Sequence, residues 1–157
     1  MTQPATKRNM LSLGRRALVQ HLGSINVGNG YRTNAGYNVR QGWFGDVLDS
    51  GDVSFPLICI QKGKSLMPKP GPMGLIHSNG FLIIGAVNVG IDYEDALDDL
   101  EVDLLLALMP TEAQFHKWLP RGITGLTVGA PEQYPPGKGE ASATVLIPVH
   151  LHTILER

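Results

Sequence analysis

The sequence predicts an α+β fold: a mostly antiparallel mixed sheet with two main helices packed on one of its faces. Residues 6–25 and 92–109 carry apolar side chains at helical spacing. Residues 55–61, 80–89 and 143–155 are continuous or alternating apolar runs of strand length. The order of helix, strands, helix and strands, without a fixed-period repeat, favours helices gathered on one face of a sheet.

Length and composition indicate one globular domain over residues 1–157 that is poor in charge, with 43% hydrophobic and 17% charged residues. The single cysteine, Cys59, lies in an apolar run and excludes an internal disulfide, which suits a reducing compartment. We expect it to be a buried small hydrophobe rather than a nucleophile. The chain shows neither the apolar core of a signal peptide nor a run of about 18 apolar residues, so we expect a soluble protein made in a cytoplasm.

The first helix is expected from Thr6, as its cap, to about Ile25, and Gly14 would allow close packing on its apolar face. The apolar residues of this helix share one face: Leu11, Leu18, Leu22 and Ile25. A strand is expected at 37–44, followed at 45–53 by a loop or a short helical turn.

A central strand covered on both faces is expected at 55–61, with Pro56 at its start. The next segment, 62–78, is rich in proline and glycine and predicts a long exposed loop or a hairpin arm that reaches a neighbour. A second apolar strand is expected at 80–89.

The second helix is expected to start after Asp92 as its cap and to carry a core stripe of Leu97, Leu100, Leu104 and Leu108. Seven of the fourteen acidic residues lie in this region. The acids of the first turn favour the helix dipole, and the others are interpreted as a solvated face. These seven are Asp92, Glu94, Asp95, Asp98, Asp99, Glu101 and Asp103.

The last third of the chain predicts a short helix and two closing strands. Residues 111–114 resemble a capping box for a helix that ends at Leu119. The strands are expected at 123–134 and 143–155. Pro148 lacks an amide hydrogen, so it indicates an edge position or a bulge in the second of these strands.

Charge is divided unevenly along the chain. Residues 1–69 hold nine Lys/Arg and three Asp/Glu, whereas residues 70–157 hold four and eleven, giving balances of +6 and −7. The ordinary interpretation is chance plus one acidic helix. The alternative is a polar subunit whose basic and acidic faces meet head to tail in a ring. Arg15, Arg16, Asp95 and Asp99 are then candidates for the subunit interface.

Most catalytic and binding chemistry is disfavoured by the motifs. The segment Gly28-Asn29-Gly30 resembles part of a phosphate loop, but it follows a helix and lacks a Gly-Lys-Ser/Thr ending. His150 and His152 share a strand face but lack a third ligand, and the other histidines are isolated. A basic strip of Lys7, Arg8, Arg15 and Arg16 leaves nucleic-acid binding open. We predict no catalytic, cofactor-binding or metal site.

The most distinctive segment is Gly30-Tyr31-Arg32-Thr33-Asn34-Ala35-Gly36, between the first helix and a strand. The order of helix, Gly-Tyr-Arg-Thr-Asn/Asp-x-Gly and strand resembles the start of the tail terminator proteins of long-tailed bacteriophages. The later element order is similar over most of the chain, and 62–78 matches least well. Within the motif, Gly30, Tyr31, Arg32, Thr33 and Gly36 are carried over as structural residues.

The resemblance implies a structural virion protein of the tail or neck, assembled in the host cytoplasm, without enzymatic activity. It implies a ring, typically a hexamer, that caps the tail tube and offers the attachment surface for the head or neck. The implied partners are therefore further copies of the chain, the tail tube protein and a neck connector protein. Membranes and sequence-specific nucleic acid are not expected partners.

Three alternatives remain open. One is another neck component, a stopper or an adaptor, and a second is a nucleic-acid-binding accessory protein. The third is a small-ligand-binding domain that uses residues 28–36. If the motif is architectural, replacing Arg32 with alanine is expected to damage folding or ring assembly.

Overall fold

The computed structural model describes residues 8–109 and 116–157, and in these ranges one mixed sheet of seven strands packs with three α-helices. The α+β class is therefore confirmed. The helices are α1 (Met10–Leu22), α2 (Phe44–Asp49) and α3 (Tyr93–Leu108). The strands are β1 (Val39–Gln41), β2 (Leu57–Lys62), β3 (Lys69–Gly71), β4 (Gly74–Asn88), β5 (Ile123–Val128), β6 (Glu132–Tyr134) and β7 (Ser142–Glu156).

The sheet is built around one long antiparallel pair. Its order is β1-β2-β4-β7-β5, with β3 added to β4 and β6 added to β7. Strands β4 and β7 pair over 15 residues, from Gly74 opposite Glu156 to Asn88 opposite Ser142. At about 3.3 Å per residue this pair is about 45 Å long. The β1–β2 pair is parallel and every other pair is antiparallel.

The core lies between α1, α3 and one face of the sheet. In β4 and β7 the odd-numbered residues face this core, as the two-residue period of a strand requires. Gly14 is buried in α1, and a Cβ there would lie 2.8 Å from Ile123 Cδ1, so the glycine allows the close packing expected of it. The predicted leucine stripe of α3 is confirmed as buried: Leu97, Leu100, Leu104 and Leu108.

The opposite face of the sheet is only partly covered, with α2 packed against β2. Half-buried Leu82, Leu146 and Pro148 belong to this face. The edge position expected for Pro148 is wrong, because β7 pairs with β4 on one side and with β5 and β6 on the other. Pro148 lies where β5 ends and β6 has not begun, and its carbonyl accepts a hydrogen bond from the Gly129 amide at 2.7 Å. A residue without an amide hydrogen is therefore placed where the ladder of β7 with β5 and β6 is interrupted.

Several predicted helix boundaries need correction. Helix α1 begins at Met10, and the Asn9 side chain caps it by accepting a hydrogen bond from the Leu11 amide at 3.0 Å. The predicted cap, Thr6, and the capping box at 111–114 lie outside the described residues. Asp92 holds the N-cap position of α3, but its side chain makes no capping hydrogen bond. The part of the predicted short helix that is described, 116–119, is irregular or turn.

Strand boundaries differ most where glycine and proline are frequent. The strand expected at 37–44 is confined to β1 because a 3₁₀ turn precedes it and α2 begins at Phe44. The expected insertion at 62–78 contains β3 and the first five residues of β4, so its second half is a hairpin that extends the sheet. The strand expected at 123–134 is divided into β5 and β6.

Candidate functional site

The motif loop, residues 28–36, is an ordered crossover from α1 to β1. The Asn26 carbonyl accepts the amide of Tyr31 at 3.2 Å, and the Asn34 side chain accepts the amide of Val27 at 2.9 Å. Gly30 has φ of 92°, a left-handed conformation that glycine adopts without steric cost. These hydrogen bonds and the conformation of Gly30 fix the path of the loop between α1 and β1.

A buried carboxylate on α3 fixes the centre of this loop. Asp103 Oδ1 accepts the backbone N–H of Arg32 at 2.9 Å, and Oδ2 accepts the backbone N–H of Thr33 at 2.8 Å. The Thr33 hydroxyl donates to the same Oδ2 at 2.8 Å. Asp103 is 0% exposed, so hydrogen bonds replace the water that its charge would otherwise require.

Gly36 brings the end of the loop against the segment that follows α1. Its amide donates to the Ile25 carbonyl at 2.8 Å. A Cβ at this position would lie 2.5 Å from the Ile25 carbonyl oxygen and 2.7 Å from that of Gly23. Both neighbours are backbone atoms, so only glycine fits here without moving the chain.

The motif side chains divide into an inner and an outer set. Tyr31 is half-buried against the core, and Thr33 is held by Asp103. The Arg32 side chain is 54% exposed and makes a 3.7 Å ion pair with Asp99, which is equally exposed. Only the backbone of Arg32 takes part in the buried bonding, and its guanidinium lies at the surface.

This arrangement fixes the path of the backbone and leaves few free N–H groups to bind an anionic ligand. A phosphate loop needs converging backbone N–H groups that are free to bind. Here the amides of Arg32 and Thr33 already donate to Asp103. A shallow depression of about 360 Å³ lies beside the loop, with Asn34, Phe55 and Ala96 among its lining residues.

The prediction that Asp103 belongs to the solvated face of the second helix is wrong. The structure buries it completely, whereas Asp95, Asp98 and Asp99 are exposed. A signal was present in the sequence. Asp103 follows Leu100 by three residues and precedes Ala107 by four, so it shares the inward side of the helix.

The four candidate interface residues lie on two separate helices. Arg16 is exposed on α1, and Arg15 is half-buried there, where its buried Nε has no hydrogen-bond partner among residues 8–109 and 116–157. Burial, with the Arg15 charge as a second cause, lowers the pKa of Lys62 on β2. Asp95 and Asp99 lie on α3. Among the described residues, neither arginine forms an ion pair with either acid.

The two histidines of β7 are engaged in separate hydrogen bonds. His152 contacts the hydroxyls of Ser78 at 2.8 Å and Thr127 at 2.5 Å, and His150 Nε2 lies 3.1 Å from the Lys64 carbonyl. Burial lowers the pKa of His152, and the neighbouring His150 lowers it further. Within residues 8–109 and 116–157 no group of three or more His, Cys, Asp or Glu is arranged to hold a metal ion.

One cluster of aromatic residues was not anticipated. The ring of His21 stacks on Trp118, with centroids 4.2 Å apart, and its Nε2 lies 2.7 Å from the Ala107 carbonyl at the end of α3. Burial lowers the pKa of His21, and the hydrogen bond to Ala107 acts in the opposite direction. The cluster joins α1 to α3 and has a structural role.

Cys59 is fully buried in β2, and burial raises the pKa of its thiol to about 11. A thiol with such a pKa is protonated at neutral pH and is a poor nucleophile, as expected from the sequence. None of the described helices is both long and apolar enough to cross a membrane. No protein-family model matches the sequence, and a search of curated proteins finds no significant match.

Proposed function

We propose that this protein is a structural component of a bacteriophage virion that forms a ring on the tail tube and provides the attachment surface for the head or neck. The observation that carries the proposal is the motif at 30–36, which lies between a helix and a strand as in the tail terminators that it resembles. Its partners are further copies of the chain, the tube protein and a neck protein. Its role is assembly, without catalysis or a cofactor.

The bonding of the motif loop supports an architectural role. The side chain of Asp103 takes up the amides of Arg32 and Thr33, so the most distinctive residues of the sequence serve to hold α3 and the crossover together. A ring subunit needs such a rigid body, because small errors in each subunit would accumulate around the ring.

The placement of charge also supports a ring. Helix α3 follows the end of β4 at Asn88 and carries exposed Asp95 and Asp99. At the other end of the sheet, Arg8, Arg121 and Arg157 line a cleft of about 690 Å³ together with Glu156, so positive charge predominates there. An acidic helix and a more basic opposite end favour head-to-tail contacts, which close into rings when the rotation allows.

Electron microscopy and tube binding test the proposal together. The purified chain is imaged in negative stain, and it is then mixed with tubes assembled from the tube protein encoded in the same genome. We expect rings of the tube's width and cosedimentation of the chain with tubes. A chain that forms no ring and also fails to bind tubes would contradict the proposal. Binding to the portal complex alone would favour a stopper or an adaptor.

A small-ligand-binding domain is a second candidate, favoured by the depression of about 360 Å³ beside Thr33 and Asn34. It predicts that a metabolite raises the melting temperature in proportion to its concentration. A thermal-shift screen checks this, with a Thr33→Val variant as the comparison. A ligand whose effect is lost in Thr33→Val would favour this candidate over the ring.

A further inference from the structure

Helix α3 carries a second row of residues on the side that faces away from the core, acidic in its first half and apolar in its second. We call it the outer seam, and it consists of Asp95, Asp99, Val102 and Leu106, with Met109 at the C-cap. The four helical residues are spaced four, three and four apart, so they lie in one row about 17 Å long. All five are exposed, and the exposed fractions of Val102, Leu106 and Met109 are 36%, 61% and 50%.

A helix that is apolar on two sides is suited to pack against two partners. The leucine stripe packs on the sheet, and no described part of the chain buries the outer seam. Two copies of α3 are poorly suited to cover one another, because each carries exposed Glu94, Asp95, Asp98 and Asp99. The partner of the seam is therefore expected to combine apolar side chains with positive charge.

The opposite end of the molecule has a surface of this kind. We call residues 66–76 the arm, which comprises β3, the turn that follows it and the start of β4. Met67, Met73 and Ile76 are 85%, 75% and 44% exposed, and Ile154 of β7 lies directly opposite Ile76. Lys69 is exposed, and within the described residues it forms no ion pair. Exposed methionines are frequent at adaptable binding surfaces.

The arm and the outer seam do not cover one another within one molecule. The arm surrounds the first residue of β4, Gly74, whereas α3 begins after the last, Asn88, and packs on β4 with Leu100 and Leu104 beside Gly85. The apolar residues of both surfaces are exposed in the folded chain. A contact between the two surfaces therefore requires a second copy.

We infer that the arm of one copy packs along the outer seam of the next copy. Methionine and isoleucine side chains would cover Val102 and Leu106, and Lys69 would approach Asp95, since Asp99 already pairs with Arg32. This contact joins two different surfaces, so it propagates from copy to copy as a ring requires. The inference rests on the proposed function in that ring subunits must touch their neighbours, and it names the surfaces that do so.

Disulfide trapping tests the contact. Single variants Met73→Cys and Leu106→Cys are purified and mixed under mild oxidation. We expect a covalent dimer in the mixture that neither variant forms alone. The native Cys59 does not interfere, because it is fully buried and the pKa of its thiol is about 11. Met73→Cys mixed with Tyr37→Cys is the matched control, since Tyr37 is 76% exposed and lies in the turn before β1, away from α3 in the chain.

Each other outcome of this experiment would overturn the inference. A dimer of Leu106→Cys alone would show that two seams pair with each other, and a dimer of Met73→Cys alone would show that two arms do. No dimer above the control would show that the two surfaces do not meet. Rings or tube binding that persist in that case would leave the proposed function standing.

Charge reversal gives an independent readout by sedimentation velocity. Lys69→Glu and Asp95→Lys are each expected to weaken self-association about tenfold, and the double variant is expected to recover most of the loss. Lys138→Glu, in the exposed turn before β7, is the matched control and should have no effect. Single variants that associate like the wild type, or a double variant no better than the single ones, would contradict the contact.

Discussion

Asp103 shows how one residue can determine the path of a whole loop. Its carboxylate lies on a helix, 70 residues or more along the chain from the amides that it binds in Arg32 and Thr33. Composition could not distinguish it from its acidic neighbours, because seven acids fall within twelve residues. Its helical phase beside Leu100 and Ala107 could have done so. Its partners could not be predicted, because they depend on how the crossover folds back.

Replacing Asp103 with asparagine is expected to lower the free energy of unfolding by about 3 kcal/mol, since hydrogen bonds to buried charges are worth more than neutral ones. An amide offers one oxygen in place of two, and its NH₂ group would face a backbone N–H that also donates. Urea denaturation of Asp103→Asn and the wild type measures the difference.

Arg32→Ala is the matched control for this measurement. In the part of the chain that the structure describes, the Arg32 side chain makes one exposed ion pair, with Asp99, so we expect its loss to change the free energy of unfolding by less than about 1 kcal/mol. Of the two effects expected from the sequence, damage to folding or to ring assembly, we therefore expect Arg32→Ala to show the second. Equal losses in the two variants would contradict the role given to the Asp103 carboxylate.

His21 makes the stability depend on pH. Its Nε2 faces a carbonyl, which can only accept, so the neutral ring carries its proton there. Burial lowers the pKa of the folded chain's imidazole, so below about pH 6.5 the unfolded chain binds a proton that the folded chain does not. Stability is therefore expected to fall as the pH drops from 7.5 to 5.

His21→Gln isolates this contribution, because its amide can still donate to Ala107 but does not titrate. At pH 7.5 we expect the urea midpoint of His21→Gln to be lower than that of the wild type, because stacking on Trp118 is lost. As the pH drops, we expect the midpoint of the variant to fall less steeply than that of the wild type. Some slope should remain, since burial also lowers the pKa of His116 and His152. Identical slopes in the two proteins would exclude His21 as a cause.

At the scale of elements, residue periodicity predicted the helices and strands that bury side chains in the core. It did not predict strand boundaries that depend on pairing with a neighbouring strand. The leucine stripe of α3 and the apolar run of β2 could be predicted because the buried side chains of each form a simple pattern in the sequence. The second half of 62–78 was not, because β4 continues through glycine and polar residues where β7 pairs with it. Pro148 was misplaced for the same reason, since the break between β5 and β6 is a property of the adjacent strands.

The crossover between α1 and β1 gives a prediction at this scale. Gly36→Ala is expected to lower the free energy of unfolding by about 3 kcal/mol, because the new methyl group would overlap backbone atoms of Ile25 and Gly23. Gly30→Ala is the comparison, since no atom of the described residues lies within 4 Å of a Cβ there and the left-handed backbone is what opposes the substitution. Its cost is expected to be about 1 kcal/mol.

Thermal or urea unfolding of the two glycine variants measures both effects. If Gly30→Ala proved the more damaging variant, conformation rather than close approach would limit this loop. Far-UV circular dichroism should show that both variants retain the fold, so that the comparison concerns stability alone.

For the whole molecule, the positions of the charged residues depend on the β4–β7 pair as well as on their order in the chain. The charge balances of segments 1–69 and 70–157 could be counted from the sequence. The positions of these charges in the fold could not be predicted, because Arg121 and Arg157 belong to the acidic segment but lie beside Arg8 at the more basic end of the sheet. The polarity of the folded protein is therefore a property of strand pairing as much as of sequence order.

This polarity predicts that self-association weakens as salt rises. Contacts between oppositely charged ends are screened over about 10 Å at 0.1 M salt and about 3 Å at 1 M. Sedimentation velocity from 0.05 to 1 M sodium chloride should show a shift toward smaller species, while the apolar part of the contact holds some association at the highest salt. Sodium sulfate at matched ionic strength separates the two contributions, because it also screens charge but strengthens apolar burial. An oligomer unaffected by sodium chloride would assign the contact to apolar side chains such as Leu106 and Met73, and charge would then have no part in assembly.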